Sequence, residues 1–103
     1  MARIGGPEAI VAAICADYDR RESCVQTGSV STRTRMEYIY LNAKVFDAAC
    51  EQVGMASAAL YIREIGAGVG YAHSAVENIS EGTYKANKSE LVRGIARKLH
   101  LMD

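Results

Sequence analysis

The sequence predicts an all-α fold, a small multi-helix domain with a C-terminal helix-turn-helix. Three observations predict it. Apolar residues recur at steps of three and four along most of the chain, the period of a buried helix face rather than the alternation of a strand. The composition is rich in Ala and poor in aromatics, with six Tyr, one Phe and no Trp, and the single Pro stands at position 7. Helix-capping and helix-ending residues (Ser31, Gly54, Ser80) fall between the apolar periods. A chain of 103 residues supports one modest core. A single domain over 1–103 is expected, with a helical hairpin over 1–54 and a helix-turn-helix-like region over 55–103.

Gly5-Gly6-Pro7 leads into the first element, with Pro at a natural first helical position. Ile10, Val11, Ile14, Cys15 and Tyr18 then form a helical stripe, so a helix over 7–21 is expected. Residues 22–31 lose the period, contain Gly28 and read as a loop. From a cap at Ser31 or Thr32, a central helix over 32–53 carries Met36, Ile39, Ala43, Phe46, Cys50 and Val53 on one face, and Gly54 ends it. A second strip, Tyr38, Leu41 and Val45, lies roughly opposite. A helix apolar on two sides is sandwiched or forms an oligomer interface. Because the second strip has no evident partner in so short a chain, it predicts a homodimer.

A helix over 55–66 places Leu60, Tyr61 and Ile65 inward, and the glycines from Gly66 to Gly70 read as a flexible corner. A short helix over 71–77 and a turn at Glu77-Asn78 follow. Ser80 caps the last helix, expected over 81–101, because its hydroxyl can accept a free backbone N–H at the helix start. Tyr84, Leu91, Ile95, Leu99 and Met102 fall on one side of that helix, which carries Asn87 and Lys88 between Tyr84 and Leu91, so its first two turns are free to project outward. The core is expected to centre on Ile39, Phe46, Leu60, Leu91, Ile95 and Leu99.

Formal net charge is zero, which argues against a general nucleic-acid coat. The charge is unevenly spread. Residues 80–103 carry five basic and three acidic side chains, and residues 1–79 carry seven and nine. The three Cys form no Cys-x-x-Cys pair, and His73 and His100 are not at ligand spacing, so neither metal nor cofactor is expected. Reduced thiols suit a cytoplasmic protein. Met1-Ala2-Arg3 leads to Gly-Gly-Pro, so no secretory leader is expected, and no run approaches the roughly 20 apolar residues of a membrane span. Gly66, Gly68 and Gly70 lack a preceding strand, and Tyr71 stands where a dinucleotide-binding loop needs its third glycine. His73 and Glu77 are a surface pair rather than a catalytic dyad. No catalytic residue and no enzyme activity are expected.

A short helix, a turn and a second helix with a polar leading end is the layout of a helix-turn-helix DNA reader. Ile79-Ser80-x-x-Thr83-Tyr84-Lys85, with Ile95-Ala96-Arg97-Lys98-Leu99-His100-Leu101, resembles the C-terminus of small phage and prophage proteins of Gram-positive bacteria. Those proteins are similar to the ArpU-like late-transcription regulators and to region 4 of sigma factors. The resemblance covers about residues 31–103. One departure is that Lys85-Ala86-Asn87-Lys88 stands where the family is usually richer in Arg and Lys. The resemblance implies a DNA-binding transcriptional regulator in which Ser80, Thr83, Tyr84, Lys85, Asn87 and Lys88 address the major groove and its phosphates. It also leaves RNA polymerase as a candidate partner. The alternative is a helical self-association or protein-interaction module without DNA binding, which zero net charge favours.

Overall fold

The structure, a computed structural model, describes residues 6–102 and contains no strand among them. Five α-helices follow one another: α1 Gly6–Ala16, α2 Tyr18–Thr27, α3 Thr32–Val53, α4 Met55–Ala67 and α5 Glu81–Lys98, with a 3-10 turn at Tyr71–His73. α3 packs on both α4 and α5, α1 lies against the same two helices, and α2 runs beside α3.

The helix expected over 7–21 is two helices, broken at Asp17, and α2 continues through residues expected to form a loop. The reason is chemical. The buried residue of α2 is Arg21 rather than an apolar side chain. Its Nε donates to Asn42 Oδ1 at 2.6 Å and one Nη to the Ile14 carbonyl at 2.8 Å. Asn42 Nδ2 in turn donates to the Tyr18 carbonyl and to Glu22 Oε2. This joint ties the end of α1, the start of α2 and the middle of α3, and it leaves no apolar period to read. Gly28, in the left-handed conformation at φ 67°, ends α2 by donating its N–H to the Cys24 carbonyl.

α3 has the expected bounds. Ser31 Oγ accepts the Thr34 N–H at 3.2 Å, and Gly54 ends the helix. Its rotation differs from expectation. Val45, Ala48 and Ala49 are buried and Tyr38 and Leu41 half-buried, whereas Ile39 is 44% exposed and Met36 64%. The strip expected to pair with a second copy is therefore turned inward. Small residues decide this: Ala48 and Ala49 on α3, Ala58 on α4 and Ala96 on α5 let the helix backbones come close, where dispersion is gained over many atoms. Of the expected core, Leu91 and Ile95 are fully buried, Phe46 and Leu99 pack partly against the core, Leu60 is half-buried and Ile39 lies outside it.

Gly66 lies inside α4, which ends at Ala67, one residue past the expected bound of 66. A Cβ there would meet the backbone of Ala16 at 2.5 Å, so this glycine lets the end of α1 cross α4 directly. Gly68, at φ 71°, ends the helix by donating to the Glu64 and Ile65 carbonyls. The helix expected over 71–77 is only the 3-10 turn, followed by a non-helical segment to Ser80. α5 stops at Lys98, short of the expected end at 101. The Leu101 N–H closes on the Ala96 carbonyl at 2.8 Å, with His100 left-handed.

Three substitutions test this packing by thermal denaturation. Ile95→Ala should cost about 2–5 kcal/mol, with Ile39→Ala costing far less. Equal losses at the two sites would contradict the rotation of α3. Gly66→Ala should cost about 1–3 kcal/mol by overpacking, although alanine is the better helix former. An unchanged melting temperature would contradict the close crossing.

Candidate functional site

The candidate site is the leading half of α5 and the segment before it. Ser80 Oγ accepts the Thr83 N–H at 3.2 Å and lies 3.0 Å from the Thr83 hydroxyl. Ser80 is therefore the N-cap, as its sequence position implies. Thr83 is exposed. Lys85 is exposed too, and its Nζ sits 2.8 Å from Glu81 Oε2 one turn earlier. The other three expected contact residues face the protein. Tyr84 is 1% exposed, its ring stacked on Tyr61 with centroids 5.6 Å apart. Asn87 donates to the Tyr61 hydroxyl at 3.1 Å. Lys88 lies over the Tyr84 ring and donates to the Val69 carbonyl.

These inward contacts gather around Glu64, a carboxylate that is 5% exposed on the inner face of α4. Its Oε1 accepts the Tyr84 hydroxyl at 2.6 Å and the Ser74 hydroxyl at 2.7 Å, and its Oε2 accepts the Ala75 N–H at 2.7 Å. The Val76 N–H extends the network by donating to Ser74 Oγ at 3.0 Å. Here lies the reason residues 74–77 are not helical. The Ala75 N–H points to a carboxylate on another helix instead of a carbonyl one turn back. Burial pushes the Glu64 pKa up, but the hydrogen bonds from Tyr84, Ser74 and Ala75 and the Lys88 charge outweigh it and hold the carboxyl below its ordinary value. Burial, and then the Glu64 hydrogen bond, raises the Tyr84 pKa. Glu64 was missed in the sequence, though it sits between Tyr61 and Ile65 on the apolar side of its helix. A carboxylate at such a position needs internal partners.

What α5 leaves outward is different in kind. Gly82, Ala86, Ser89, Arg93 and Arg97 share one exposed side, small at the start and basic toward the end. Arg93 pairs with Glu90 at 2.6 Å, and Lys98 reaches Glu51 of α3 at 2.9 Å. Among the described residues Arg97 has no such partner. Beside this side, a cleft of about 250 Å³ between the start of α1 and α5 is lined by Glu8, Ile65, Lys88 and Arg93, among others. His73 and Glu77 do not share a helix face, because their segment is not helical.

Other chemistry is sparse. No group of three or more His, Cys, Asp or Glu among the described residues is arranged to hold a metal. The cysteines are unpaired, and burial pushes the Cys15 thiol up to about 12 against the opposing charge of Arg21, far from a reactive thiolate. No helix among the described residues is long and apolar enough to cross a membrane. In comparisons with known proteins, no family model, curated protein or solved structure matches the chain.

The Glu64 network has a pH signature. Because folding lowers the Glu64 pKa, the ionised carboxylate stabilises the fold above its unfolded value of roughly 4.3, and this is lost as pH falls through the lowered folded value. Glu64→Gln should cost about 1.5–3 kcal/mol near neutral pH, as expected for hydrogen bonds to a charged group. The gap in melting temperature between parent and variant should narrow under acid. A gap constant across the acid range would show that the charge on Glu64 contributes nothing.

Proposed function

We propose that this chain is a DNA-binding transcriptional regulator that meets DNA with the outward side of α5. The observation that carries the reading is the division of that helix. Its inner side is fastened by Tyr84, Asn87, Lys88, Leu91 and Ile95, so its outer side is held rigid without being covered. That outer side begins with Gly82, Thr83 and Ala86, which allow close approach to a groove, and continues to Arg93 and Arg97 for phosphates. Both carboxylates of α5 are already paired, Glu81 with Lys85 and Glu90 with Arg93. The resemblance of residues 31–103 to ArpU-like regulators and sigma factor region 4 supports the same helix as the reader. On this reading α4 is the supporting helix and α5 the recognition helix, though the connection over 68–80 is longer than the three or four residues of a common helix-turn-helix turn.

The roles of the six residues are narrowed accordingly. Ser80 starts the helix, Tyr84, Asn87 and Lys88 orient it, and Thr83 and Lys85 remain to touch DNA. Lys85 would exchange its exposed bond to Glu81 for a phosphate, a small loss because surface ion pairs contribute only about 0–1 kcal/mol. Affinity of one copy should be modest and strongly salt-dependent, since few phosphates are neutralised.

Fluorescence anisotropy with a mixed-sequence duplex at two salt concentrations tests this reading. The parent should bind more weakly at higher salt, and Arg97→Ala should lower the slope of log affinity against log salt by about one unit. Absent binding at low salt, or an Arg97→Ala slope equal to the parent's, would reject DNA contact through α5 and leave the protein-interaction reading.

A further inference from the structure

The side of α3 that carries the exposed Met36, Ile39 and Ala43, and ends on the half-buried Phe46, is apolar and keeps a coiled-coil period. Met36, Ile39, Ala43 and Phe46 succeed one another at steps of three, four and three, and Tyr40 lies beside them, 58% exposed. Along one edge of this seam run Arg33, Glu37, Lys44 and Asp47, with charges plus, minus, plus, minus and Tyr40 at their middle. Read backwards, the order is minus, plus, minus, plus. The edge is thus complementary to itself when two helices run antiparallel. In a parallel pair this edge would face the opposite edge of the partner helix, so only the antiparallel pairing brings it onto itself.

We propose that α3 pairs antiparallel with α3 of a second copy of this chain, about a two-fold axis near Tyr40. Arg33 then lies against Asp47 of the second copy, and Glu37 against Lys44, each contact occurring twice because a two-fold interface is isologous. The same register brings Met36 opposite residues 44–45, within one helical turn of Phe46. There an open groove between α2 and α3, lined by Tyr18, Val25, Ile39 and Phe46 with Glu22 and Asn42 already bonded to each other in it, receives that side chain. Existing ties along the edge are weak and yield readily. Arg33 reaches Glu37 at only 3.6 Å with both side chains largely exposed, and Lys44 rests over the Tyr40 ring. The pairing uses no residue of α5, so it stands or falls apart from the DNA reading.

Sedimentation equilibrium over a concentration series tests the pairing through charge reversals at two exposed positions, with circular dichroism as a check that each variant is folded. The parent should dimerise. Arg33→Asp alone and Asp47→Arg alone should each dimerise at least about tenfold more weakly, because two symmetric pairs become repulsive. Mixing these two variants should restore association as a heterodimer, since each charge then meets its opposite. The double variant should recover the parent's behaviour by itself. A parent that remains monomeric at the highest concentration overturns the proposal and returns the seam to a partner of another kind. A dimer insensitive to Arg33→Asp, or single variants that do not associate when mixed, overturns the antiparallel register.

Discussion

The carboxylate of Glu64 is the constraint on which the C-terminal half depends. A buried charge is costly unless its oxygens are satisfied, and this one accepts from Ser74 and Ala75 on the segment after α4 and from Tyr84 on α5. To satisfy it, the segment after the 3-10 turn must run past α4 with Ser74 and Ala75 facing the carboxylate, which removes their amides from any helix. α5 must rotate until the Tyr84 hydroxyl reaches the same oxygen. Once Tyr84 points inward, Lys88 follows one turn later to the Val69 carbonyl, and Asn87 reaches Tyr61. The outward position of Gly82, Ala86 and Ser89 is a consequence of that rotation. The exposed face of α5 is thus set from the inside.

The N-terminal half repeats the device with a cation. Arg21 is buried among carbonyl and amide oxygens rather than against a carboxylate, with Asn42 as the bridge to α3. The two joints have a common cause. The core is mostly Ala, Val, Ile and Leu around two tyrosines, Tyr61 and Tyr84, and apolar packing of such residues alone specifies helix rotation weakly. Hydrogen bonds in a poorly solvated interior are directional and expensive to leave unmade, which supplies the missing specificity. In the described residues every buried side-chain polar atom has a partner, as a network of this kind requires.

Helix boundaries written in local chemistry were legible. Ser31 and Gly54 bracket α3, Gly54 opens α4, and Ser80 starts α5, because caps and stops act within one turn of the residue that makes them. What depended on distant partners was not. α2 was hidden because its inward residue is an arginine. The sides of α3 were exchanged because two apolar strips lay opposite one another, and only the small Ala48 and Ala49, read against Ala58 and Ala96 elsewhere in the chain, decide which one is buried. Of the six residues expected at the site, Ser80 was placed by its own cap geometry. Tyr84 was placed on the inner side by its period, but its hydroxyl was aimed at a phosphate. Asn87 and Lys88 were assigned outward because their segment looks polar. The partners of all three, Glu64, Tyr61 and Val69, lie on another helix or on the connection after it. A polar helix end reads alike whether its groups serve a ligand or a buried neighbour.

Hydrogen exchange at the Ala75 amide tests the organising role of Glu64 most directly. Ala75 is exposed and belongs to no helix, so by local structure alone its amide would exchange within the range of open loops. If the Glu64 carboxylate holds it, the amide exchanges only when the segment carrying Ser74 and Ala75 leaves α4. Its protection then lies well beyond that of a loop amide, and Glu64→Gln removes much of it. Exchange at the rate of an unprotected loop amide would contradict the account.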